Sequence, residues 1–329
     1  MATYLVTGGA GFIGSNLVDA LLARGERVRV LDNFATGREE NVRDFGDRIE
    51  LLRGDIRDEA AVDRSVAGAD YVLHQAALAS VPRSIADPTS NNEVNVQGTL
   101  NLLQAAVRHG VARFVYASSS SVYGDSEQLP KVETMAPNPK SPYAVAKLAA
   151  EFYCRVFSEL HGLPTVSLRY FNVFGPRQDP TSEYAAVIPI FVSCLQEGRP
   201  PTIFGDGEQS RDFTFIADVV QANLLACEGA TEGARVYNVA CGRRYTLNEL
   251  FGRLRTAIGG DVEPEHGAPR PGDVRHSMAD IGAITAELGY APRVGIEEGI
   301  ARTVDWYHRA SPGAGPSGAG RPARHGGKP

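Results

Sequence analysis

The sequence predicts an α/β protein built on a doubly wound parallel sheet, and two observations carry that prediction. From residue 3 to about residue 172, short β-rich apolar runs alternate with helix-length segments, the order typical of sheets with helices on both faces. The helix-length segments carry apolar stripes, as Ile13, Leu17 and Leu21 do within residues 12–24. We therefore expect these segments to form the crossover helices that connect parallel strands.

Six strands are predicted in this part of the chain, at residues 4–7, 28–32, 49–52, 71–74, 113–118 and 165–170. Beyond residue 172, the alternation gives way to longer loops with isolated helices at 247–258 and 296–308. We therefore predict a first domain over residues 1–172 and a smaller α/β lobe over residues 173–310, with a strand near 236–240 returning to the main sheet. Residues 311–329, mostly Gly, Pro, Ala and Arg, are predicted to be a disordered tail.

Composition and charge exclude several classes of protein. The chain of 329 residues is 43% hydrophobic with a formal net charge of −6, which argues against the basic face of a nucleic-acid-binding protein. No stretch approaches the roughly 18 to 20 apolar residues of a membrane span, and the first predicted strand leaves no room for a signal peptide. Four cysteines without a CxxC pair, and histidines without ligand spacing, predict no metal site. We therefore expect a cytoplasmic protein without nucleic-acid or membrane partners.

A glycine-rich turn follows the first predicted strand and opens the first predicted helix. Its glycines are spaced as GxxGxxG in the run Gly8-Gly9-Ala10-Gly11-Phe12-Ile13-Gly14. Gly8 permits a tight turn, Gly11 lets the backbone approach a pyrophosphate at the helix terminus, and Gly14 allows close helix packing. Phe12 and Ile13 join this predicted cofactor site. Residues 1–172 are therefore predicted to be a Rossmann-type dinucleotide-binding domain, with an ordinary glycine-rich turn as the alternative.

The end of the second predicted strand indicates which dinucleotide is bound. Asp32 stands there, where a carboxylate can accept hydrogen bonds from both adenosine ribose hydroxyls and would repel a 2′-phosphate. Asn33 follows it, while Asp55 and Ile56 after the third strand would suit the edge and the face of adenine. A surface aspartate and a core isoleucine explain this second pair almost equally well. The predicted cofactor is therefore NAD rather than NADP.

A tyrosine and a lysine four residues apart form the candidate catalytic pair. Tyr143 and Lys147 share one helix face, separated by about 6 Å of axial rise. They follow the helix-start signal Ser141-Pro142 and a serine-rich strand end that includes Ser119. Because a free tyrosine titrates near pH 10, it needs neighbouring positive charge, here from Lys147 and a nicotinamide cation, to act as a base. Tyr143 could then remove a hydroxyl proton, with Ser119 holding or relaying it. A solvated helix face is the alternative.

Further motifs accompany these residues in a fixed order. They are His74-Gln75-Ala76-Ala77, Asn95, Arg169-Tyr170-Phe171-Asn172 and Arg270-Pro271-Gly272-Asp273. With the glycine-rich turn and the Tyr143/Lys147 pair, they make residues 1–310 resemble the extended short-chain dehydrogenase/reductases, specifically the UDP-hexose 4-epimerases. The segments Ser80-Val81-Pro82-Arg83-Ser84 and 272–277 (GDVRHS) are similar to those of bacterial UDP-N-acetylglucosamine 4-epimerases.

The resemblance implies NAD-dependent epimerisation of a UDP-sugar at C4 through a transient 4-keto intermediate. UDP-GlcNAc and UDP-GalNAc are the expected substrates, with UDP-glucose and UDP-galactose as further candidates. It assigns catalysis to Ser119, Tyr143 and Lys147. It adds to the cofactor site Gln75, Ala76, Ala77, Asn95, Tyr143, Lys147 and Tyr170. It assigns substrate contacts to Arg83, Ser119, Ser120, Ser121, Tyr143, Asn172, Ala186, Val187, Phe204, Arg211, Arg270, Asp273 and Ser277.

Individual roles follow from the same resemblance. Phe204 would cover the uracil, Arg211 and Arg270 would hold the diphosphate, and Asp273 would hold the uridine ribose; an arginine fork matches phosphate oxygens well. An ordinary surface ion pair is the alternative for each charged residue. Ser277 falls where glucose-only enzymes often have tyrosine, so its small side chain would leave room for a 2-N-acetyl group. A plain loop serine is the alternative there.

Other members of the family offer alternative activities. Related 4,6-dehydratases normally place Asp-Glu after the catalytic hydroxyl, and UDP-glucuronate decarboxylases tend to have Glu at the second of these positions, where this chain has Ser120 and Ser121. A UDP-glucuronate 4-epimerase is the closest alternative, with Arg83 as the cation for the carboxylate. The presence of Ser119, Tyr143 and Lys147 disfavours a non-catalytic NAD-sensing protein. The resemblance also predicts a homodimer formed by the helices at 95–109 and 142–160.

Overall fold

The computed structural model describes residues 1–180, 186–269 and 274–310. In chain order its strands are β1 Thr3–Thr7, β2 Arg27–Asp32, β3 Ile49–Arg53, β4 Tyr71–His74, β5 Arg113–Ser119, β6 Thr165–Tyr170, β7 Val173–Phe174, β8 Thr202–Phe204, β9 Ser210–Arg211, β10 Thr214–Phe215, β11 Ala234–Val239, β12 Tyr245–Thr246 and β13 Glu265–Gly267. Its α-helices are α1 Phe12–Ala23, α2 Glu40–Arg43, α3 Glu59–Val66, α4 Val81–Ala86, α5 Pro88–Asn92, α6 Gly98–Arg108, α7 Pro142–His161, α8 Val187–Gln196, α9 Ile216–Glu228, α10 Leu247–Ile258, α11 Gly282–Leu288 and α12 Ile296–Ala310. Short 3₁₀ turns lie at Gly46–Arg48 and Ser120–Tyr123, and a π-helical turn at Glu93–Gln97.

Seven of the strands form one parallel sheet in the order β11-β6-β5-β4-β1-β2-β3. The chain adds β2 and β3 on one side of β1, then crosses over to add β4, β5 and β6 on the other side. This reversal opens a crevice beyond the carboxyl ends of β1 and β4, where doubly wound sheets bind ligands. The predicted Rossmann-type α/β fold class is therefore confirmed.

The predicted strands agree closely with the observed ones. Each of the six strands predicted before residue 172 ends within one residue of its observed bounds. The returning strand, predicted at 236–240, is β11, and it pairs in parallel with β6 so that Val236 lies opposite Ser167. All six residues of β6 are buried, as expected for a strand covered on both faces.

The helix predicted at 95–109 differs from the observed structure at its beginning. Residues Glu93–Gln97 form a π-helical turn, and α6 begins only at Gly98. The Thr99 hydroxyl donates to the Asn95 carbonyl at 2.7 Å, the type of side-chain bond that competes with regular helical hydrogen bonding. Single π-helical turns occur frequently at functional sites, and this one holds the predicted cofactor residue Asn95.

The sheet has an apolar cluster on each face. On one face, Tyr4 and Val6 of β1 pack with α1 and α9, and the same cluster continues into the second lobe through Phe191, Leu250 and Ile300. On the other face, side chains of α3, α6 and α7 pack together with Leu5. The alternation along β1 distributes its side chains to both clusters. The second lobe therefore shares a continuous core with the sheet.

Two predictions about the organisation of the chain stay predictions. The division at residue 172 is not tested, and the tail predicted at 311–329 lies outside the described residues. Within the described ranges, none of the helices is long and apolar enough to cross a membrane.

Candidate active site

The glycine-rich turn forms one wall of a cleft at the reversal point of the sheet. Gly8 has a φ of +68°, and a Cβ atom added there would lie 2.7 Å from the backbone nitrogen of Ala76. A Cβ atom at Gly14 would lie 2.1 Å from the Gly8 carbonyl oxygen. Gly11 is the N-cap of α1, so no cap side chain competes for the first amide groups of that helix. This backbone fits a pyrophosphate.

Asp32 lies at the carboxyl end of β2 and lines the same cleft. Its carboxylate accepts hydrogen bonds from the backbone nitrogens of Ala10 at 2.9 Å and Phe34 at 2.8 Å. Each carboxylate oxygen can accept more than one hydrogen bond, so both retain capacity for ribose hydroxyls. Burial raises the pKa of Asp32, and the two backbone donors oppose this rise. The geometry therefore suits NAD at the position predicted from the sequence.

Other residues predicted to contact the cofactor surround this cleft. Its lining includes Gly8, Gly11, Asp32, Asn33, Ile56, Gln75, Ala76 and Ala77, and Phe12, Ile13 and Gly14 form the adjoining start of α1. Asp55 differs, because it pairs with Arg57 at 2.8 Å and accepts from Asn33 at 2.9 Å. The Arg57 guanidinium lowers the pKa of Asp55 to about 2. The adenine role of Asp55 therefore stays a prediction, whereas Ile56 is placed in the cleft.

A buried chain of hydrogen bonds holds the loop that follows β4. The Thr99 hydroxyl donates to the Asn95 carbonyl, so it accepts from His74 Nε2 at 2.9 Å. His74 Nδ1 then accepts from the Thr7 hydroxyl at 2.7 Å, and Thr7 accepts from the Ala76 nitrogen at 3.3 Å. These roles assign a neutral histidine. The sequence predicted no role for Thr7 or Thr99.

Asn95 and Tyr170 also act on this loop. Asn95 accepts from the Leu78 nitrogen at 2.8 Å and donates to the Leu78 carbonyl at 3.1 Å. The Tyr170 hydroxyl donates towards Gln75 at 3.2 Å and accepts from Asn223 at 2.8 Å. Asn223 lies on α9, far along the chain, and no local pattern indicated it. Both predicted residues thus support the wall of the cofactor cleft.

The predicted catalytic residues come together at the carboxyl edge of the sheet. Ser119 is the last residue of β5, whereas Tyr143 and Lys147 occupy the first two turns of α7. Lys147 Nζ lies 5.8 Å from the centre of the Tyr143 ring and donates to the Ala117 carbonyl at 2.7 Å. The helix begins as predicted, since the Ser141 hydroxyl accepts from the Ala144 nitrogen.

Burial controls the ionisation of this group. It raises the pKa of the Tyr143 phenol, and the Ser119 hydroxyl beside the phenol opposes that rise. It also lowers the pKa of the Lys147 ammonium to about 7, which the Glu151 carboxylate opposes. Because burial alone keeps the phenol protonated, Tyr143 needs nearby positive charge to act as a base, and the role of Lys147 in supplying that charge stays a prediction. A positive nicotinamide ring next to the phenol would provide the additional charge.

Ser84 is a positioning residue that sequence reasoning missed. Its buried hydroxyl accepts from the Tyr143 backbone nitrogen at 3.1 Å and donates to the Val81 carbonyl at 2.7 Å. The bond joins α4 to the first turn of α7, where an amide group has no partner within its own helix. The only signal in the sequence that could have indicated Ser84 is the similarity of its SVPRS segment to that of bacterial UDP-N-acetylglucosamine 4-epimerases.

A cavity of about 520 Å³ opens beside the second lobe, within the size range of small-molecule sites. Its lining includes the predicted substrate residues Asn172, Ala186, Val187, Phe204 and Arg211. Asn172 has a φ of +28° and its side chain donates to the Asp212 carbonyl at 3.0 Å. Arg199, Cys194 and Gln209 also line the cavity and were not predicted.

The remaining predicted substrate residues are not among the described residues that line this cavity. Ser120 and Ser121 form a 3₁₀ turn after β5, and the Ser121 hydroxyl is buried without a hydrogen-bond partner in the described part of the chain. Arg83 is exposed on α4. Ser277 is half-buried and is not among the described residues that line the cavity. Arg270 and Asp273 lie outside the described residues.

The site as a whole fits a dinucleotide and a second ligand. Glycines without room for a Cβ atom, an acceptor at Asp32 and the Ser119, Tyr143 and Lys147 group lie around the carboxyl edge of one sheet. Among residues 1–180, 186–269 and 274–310, no group of three or more His, Cys, Asp or Glu side chains is placed to hold a metal ion. This combination fits a dinucleotide-dependent enzyme.

Comparison with known proteins agrees with this class. The NAD dependent epimerase/dehydratase family matches residues 4–240. The chain belongs to this family. It is an NAD-dependent enzyme of the UDP-sugar 4-epimerase kind, as its relatives support. The predicted family, fold and cofactor are thereby confirmed.

Three relatives illustrate the similarity. The UDP-glucose 4-epimerase of Mycolicibacterium smegmatis is 42% identical over 316 residues, which cover 93% of this chain and 99% of the relative. The solved UDP-N-acetylglucosamine 4-epimerase from Methanobrevibacter ruminantium, in complex with UDP-N-acetylmuramic acid, is 40% identical with a TM-score of 0.90, covering 94% and 99% of the two chains. The Thermus thermophilus UDP-glucose 4-epimerase in complex with NAD is 42% identical with a TM-score of 0.85 and the same coverage.

Proposed function

We propose that this chain interconverts UDP-GlcNAc and UDP-GalNAc at C4, with Ser119, Tyr143 and Lys147 as its catalytic residues. The observation that carries the proposal is the meeting of these three residues at the edge of the sheet that also forms the cofactor cleft. The 520 Å³ cavity in the second lobe provides the space for the UDP moiety.

Proton transfer at C4 is the task of the protein side chains. Tyr143 accepts the proton of the C4 hydroxyl and later returns it, with Ser119 holding the same oxygen. Lys147 stabilises the phenolate electrostatically through its position one helical turn away. NAD⁺, when bound, supplies the hydride acceptor for this carbon. Arg211, in the wall of the cavity, anchors the diphosphate while the sugar turns.

Two features favour an N-acetylated sugar. Ser277 donates its backbone N–H to the carbonyl of Ser210 at 3.0 Å, and the next residue after Ser210 is Arg211, which lines the cavity. A serine at this position leaves more room near the sugar than a tyrosine would. The similar enzyme from Methanobrevibacter ruminantium is itself a UDP-N-acetylglucosamine 4-epimerase.

Parallel assays with three substrates test this proposal. We expect epimerisation of UDP-GlcNAc at a higher kcat/KM than that of UDP-glucose, and no turnover of UDP-glucuronate. Faster turnover of UDP-glucuronate would instead support the alternative in which exposed Arg83 binds the C6 carboxylate. Bound NAD without turnover of any UDP-sugar would contradict a catalytic function altogether.

We further propose that the protein forms a homodimer through α7. Its outer face exposes large apolar side chains at helical spacing, namely Val145, Phe152, Val156 and Leu160. The neighbouring helix contributes less than the sequence suggested, because Leu102 and Leu103 of α6 are buried in the core. Two such apolar faces, packed against each other, would remove this surface from water.

Charge introduced on this face tests the homodimer. We expect Phe152→Glu to convert the protein to a monomer, since each dimer would bury two unpaired carboxylates. Light scattering after size-exclusion chromatography measures the mass directly. Ala257→Glu, at an exposed position of α10, is the matched control and should leave the mass unchanged. A monomeric wild-type protein, or a dimeric Phe152→Glu variant, would refute the proposed interface.

A further inference from the structure

A buried ion pair between Glu151 and Arg169 lies next to the proposed catalytic residues, on α7 and on the strand that pairs with β5. Arg169 of β6 donates to both oxygens of Glu151, through Nε at 2.9 Å and Nη2 at 2.8 Å. The two side chains are only 6% and 4% exposed, so their charges are almost entirely removed from water. Such a pair is not in itself evidence of stabilisation, because desolvation offsets the attraction. Its position suggests a different role.

Glu151 links α7, its own helix, to the end of β5, and these are the two elements that supply the catalytic groups. It lies one helical turn after Lys147 on α7, so the two side chains share a helix face. It also accepts a hydrogen bond from the Ser118 hydroxyl, and Ser118 immediately precedes Ser119 at the end of β5. One carboxylate therefore touches the strand end that holds Ser119 and stands beside Lys147.

Arg169 extends the contact to the segment after β5. Its Nη1 donates to the Tyr123 hydroxyl at 2.9 Å, and Tyr123 donates to Asn238 of β11 at 2.7 Å. Tyr123 closes the 3₁₀ turn that begins at Ser120. The ion pair thus fixes α7, three neighbouring strands and the turn beside Ser119 relative to one another.

Glu151 is the carboxylate whose negative charge favours the charged form of Lys147. The Tyr116 ring of β5 lies 5.0 Å from Lys147 Nζ. The charge of Lys147 also acts on the buried His74 of β4, whose pKa it helps to lower. Tyr143 is the other titratable group on α7 that faces the ammonium. The remaining titratable groups around the pair are Tyr116, Tyr123, Glu133 and Cys154. Burial raises the pKa of each of these four groups.

We propose that Glu151, clamped by Arg169, is a positioning residue that keeps the Lys147 ammonium charged and fixes the strand end that holds Ser119. This inference rests on the proposed function, since it assigns Lys147 its catalytic role. Without the carboxylate, the ammonium would remain buried beside aromatic rings and a neutral histidine. It would then lose its proton at a lower pH.

The small number of lysines allows a direct measurement. The chain has four, Lys131, Lys140, Lys147 and Lys328, so protein labelled with [13Cε]lysine gives four side-chain NMR signals. Lys147→Arg assigns the signal of interest. In Glu151→Gln, we expect the pH midpoint of the Lys147 signal to fall by about one unit or more, the effect of losing a nearby opposite charge. The signal of Lys131, buried elsewhere, should keep its midpoint.

Two further variants make the measurement decisive. Glu159→Gln removes an exposed carboxylate from the same helix and should leave the Lys147 midpoint unchanged. Glu151→Gln/Arg169→Gln removes the guanidinium together with its partner, so no unpaired Arg169 charge is left buried and the test remains available if the single variant does not fold. A lowered Lys147 midpoint is expected there as well. An unchanged midpoint in either folded variant, or an equal fall in Glu159→Gln, would overturn the proposal.

Kinetics provide a second readout. Because Lys147 would be charged only at lower pH, Glu151→Gln should move the alkaline limb of the kcat profile to lower pH, with little change in KM. Glu151→Asp, which keeps the charge, should largely restore the wild-type profile. If the wild-type protein epimerises no UDP-sugar, the proposed function fails, while the NMR titration still tests whether Glu151 controls Lys147.

Discussion

Tyr143→Phe is expected to lower kcat for UDP-GlcNAc about 100-fold or more, since general acid–base groups typically contribute 10² to 10⁴. The substitution removes only the phenolic oxygen. The backbone bond from Tyr143 to Ser84 and the packing of the first turn of α7 do not depend on that oxygen. KM should therefore change little, and a steady-state assay separates the two constants.

Tyr153→Phe is the matched control for this loss. Tyr153 lies on the same helix with 36% of its surface exposed, so removing its hydroxyl should leave turnover unchanged. Near-normal turnover by the Tyr143 variant would show that another group accepts the C4 proton. Equal losses in both variants would point to damage to α7 rather than to missing chemistry.

Ser277→Tyr is expected to reduce turnover selectively. A tyrosine beside the lining of the cavity would occupy space that a 2-N-acetyl group needs, and overpacking typically costs about 1 to 3 kcal/mol. Because about 1.4 kcal/mol corresponds to a factor of ten in rate, UDP-GlcNAc and UDP-GalNAc should turn over roughly 10- to 100-fold more slowly. UDP-glucose and UDP-galactose should be largely spared, as parallel assays of kcat/KM will measure.

Ser277→Ala distinguishes the effect of size from that of the hydroxyl. Ser277 makes its described contact through its backbone N–H to Ser210, which alanine retains. The alanine variant should therefore keep the wild-type preference between acetylated and plain sugars. An equal loss of activity on both classes of sugar in Ser277→Tyr would remove Ser277 as the residue that sets selectivity.

The sheet could be predicted closely because its signals are local. Apolar runs such as 165–170 are buried on both faces, and glycine or polar residues mark their ends, so the strand bounds were right within one residue. The π-helical turn before α6 was missed because its cause is a side-chain bond from Thr99 to a carbonyl, which apolar periodicity does not reveal.

The site could be predicted only where residues act through motifs. The glycine spacing and the Tyr143/Lys147 interval each lie within one short stretch of sequence, so a local pattern reveals them. The residues that support the site come from separate elements and share no local pattern. Glu151 of α7 binds Arg169 of β6, and Asn223 of α9 donates to the Tyr170 hydroxyl. The direction of the pKa shift at Tyr143 could not be predicted from the sequence either, because it depends on how deeply folding buries the phenol.

The buried hydrogen-bond chain through His74 makes the fold sensitive to acid. Burial, with a smaller contribution from the charge of Lys147, lowers the pKa of His74 from 6.5 to about 3. Between these two pKa values, His74 is protonated in the unfolded chain but not in the folded protein, so falling pH increasingly favours unfolding. Well above pH 6.5 the residue is neutral in both states and exerts no such effect. Burial of His74, whose hydrogen bonds hold the wall of the cofactor cleft, therefore lowers the stability of the folded protein in acid but not at neutral pH.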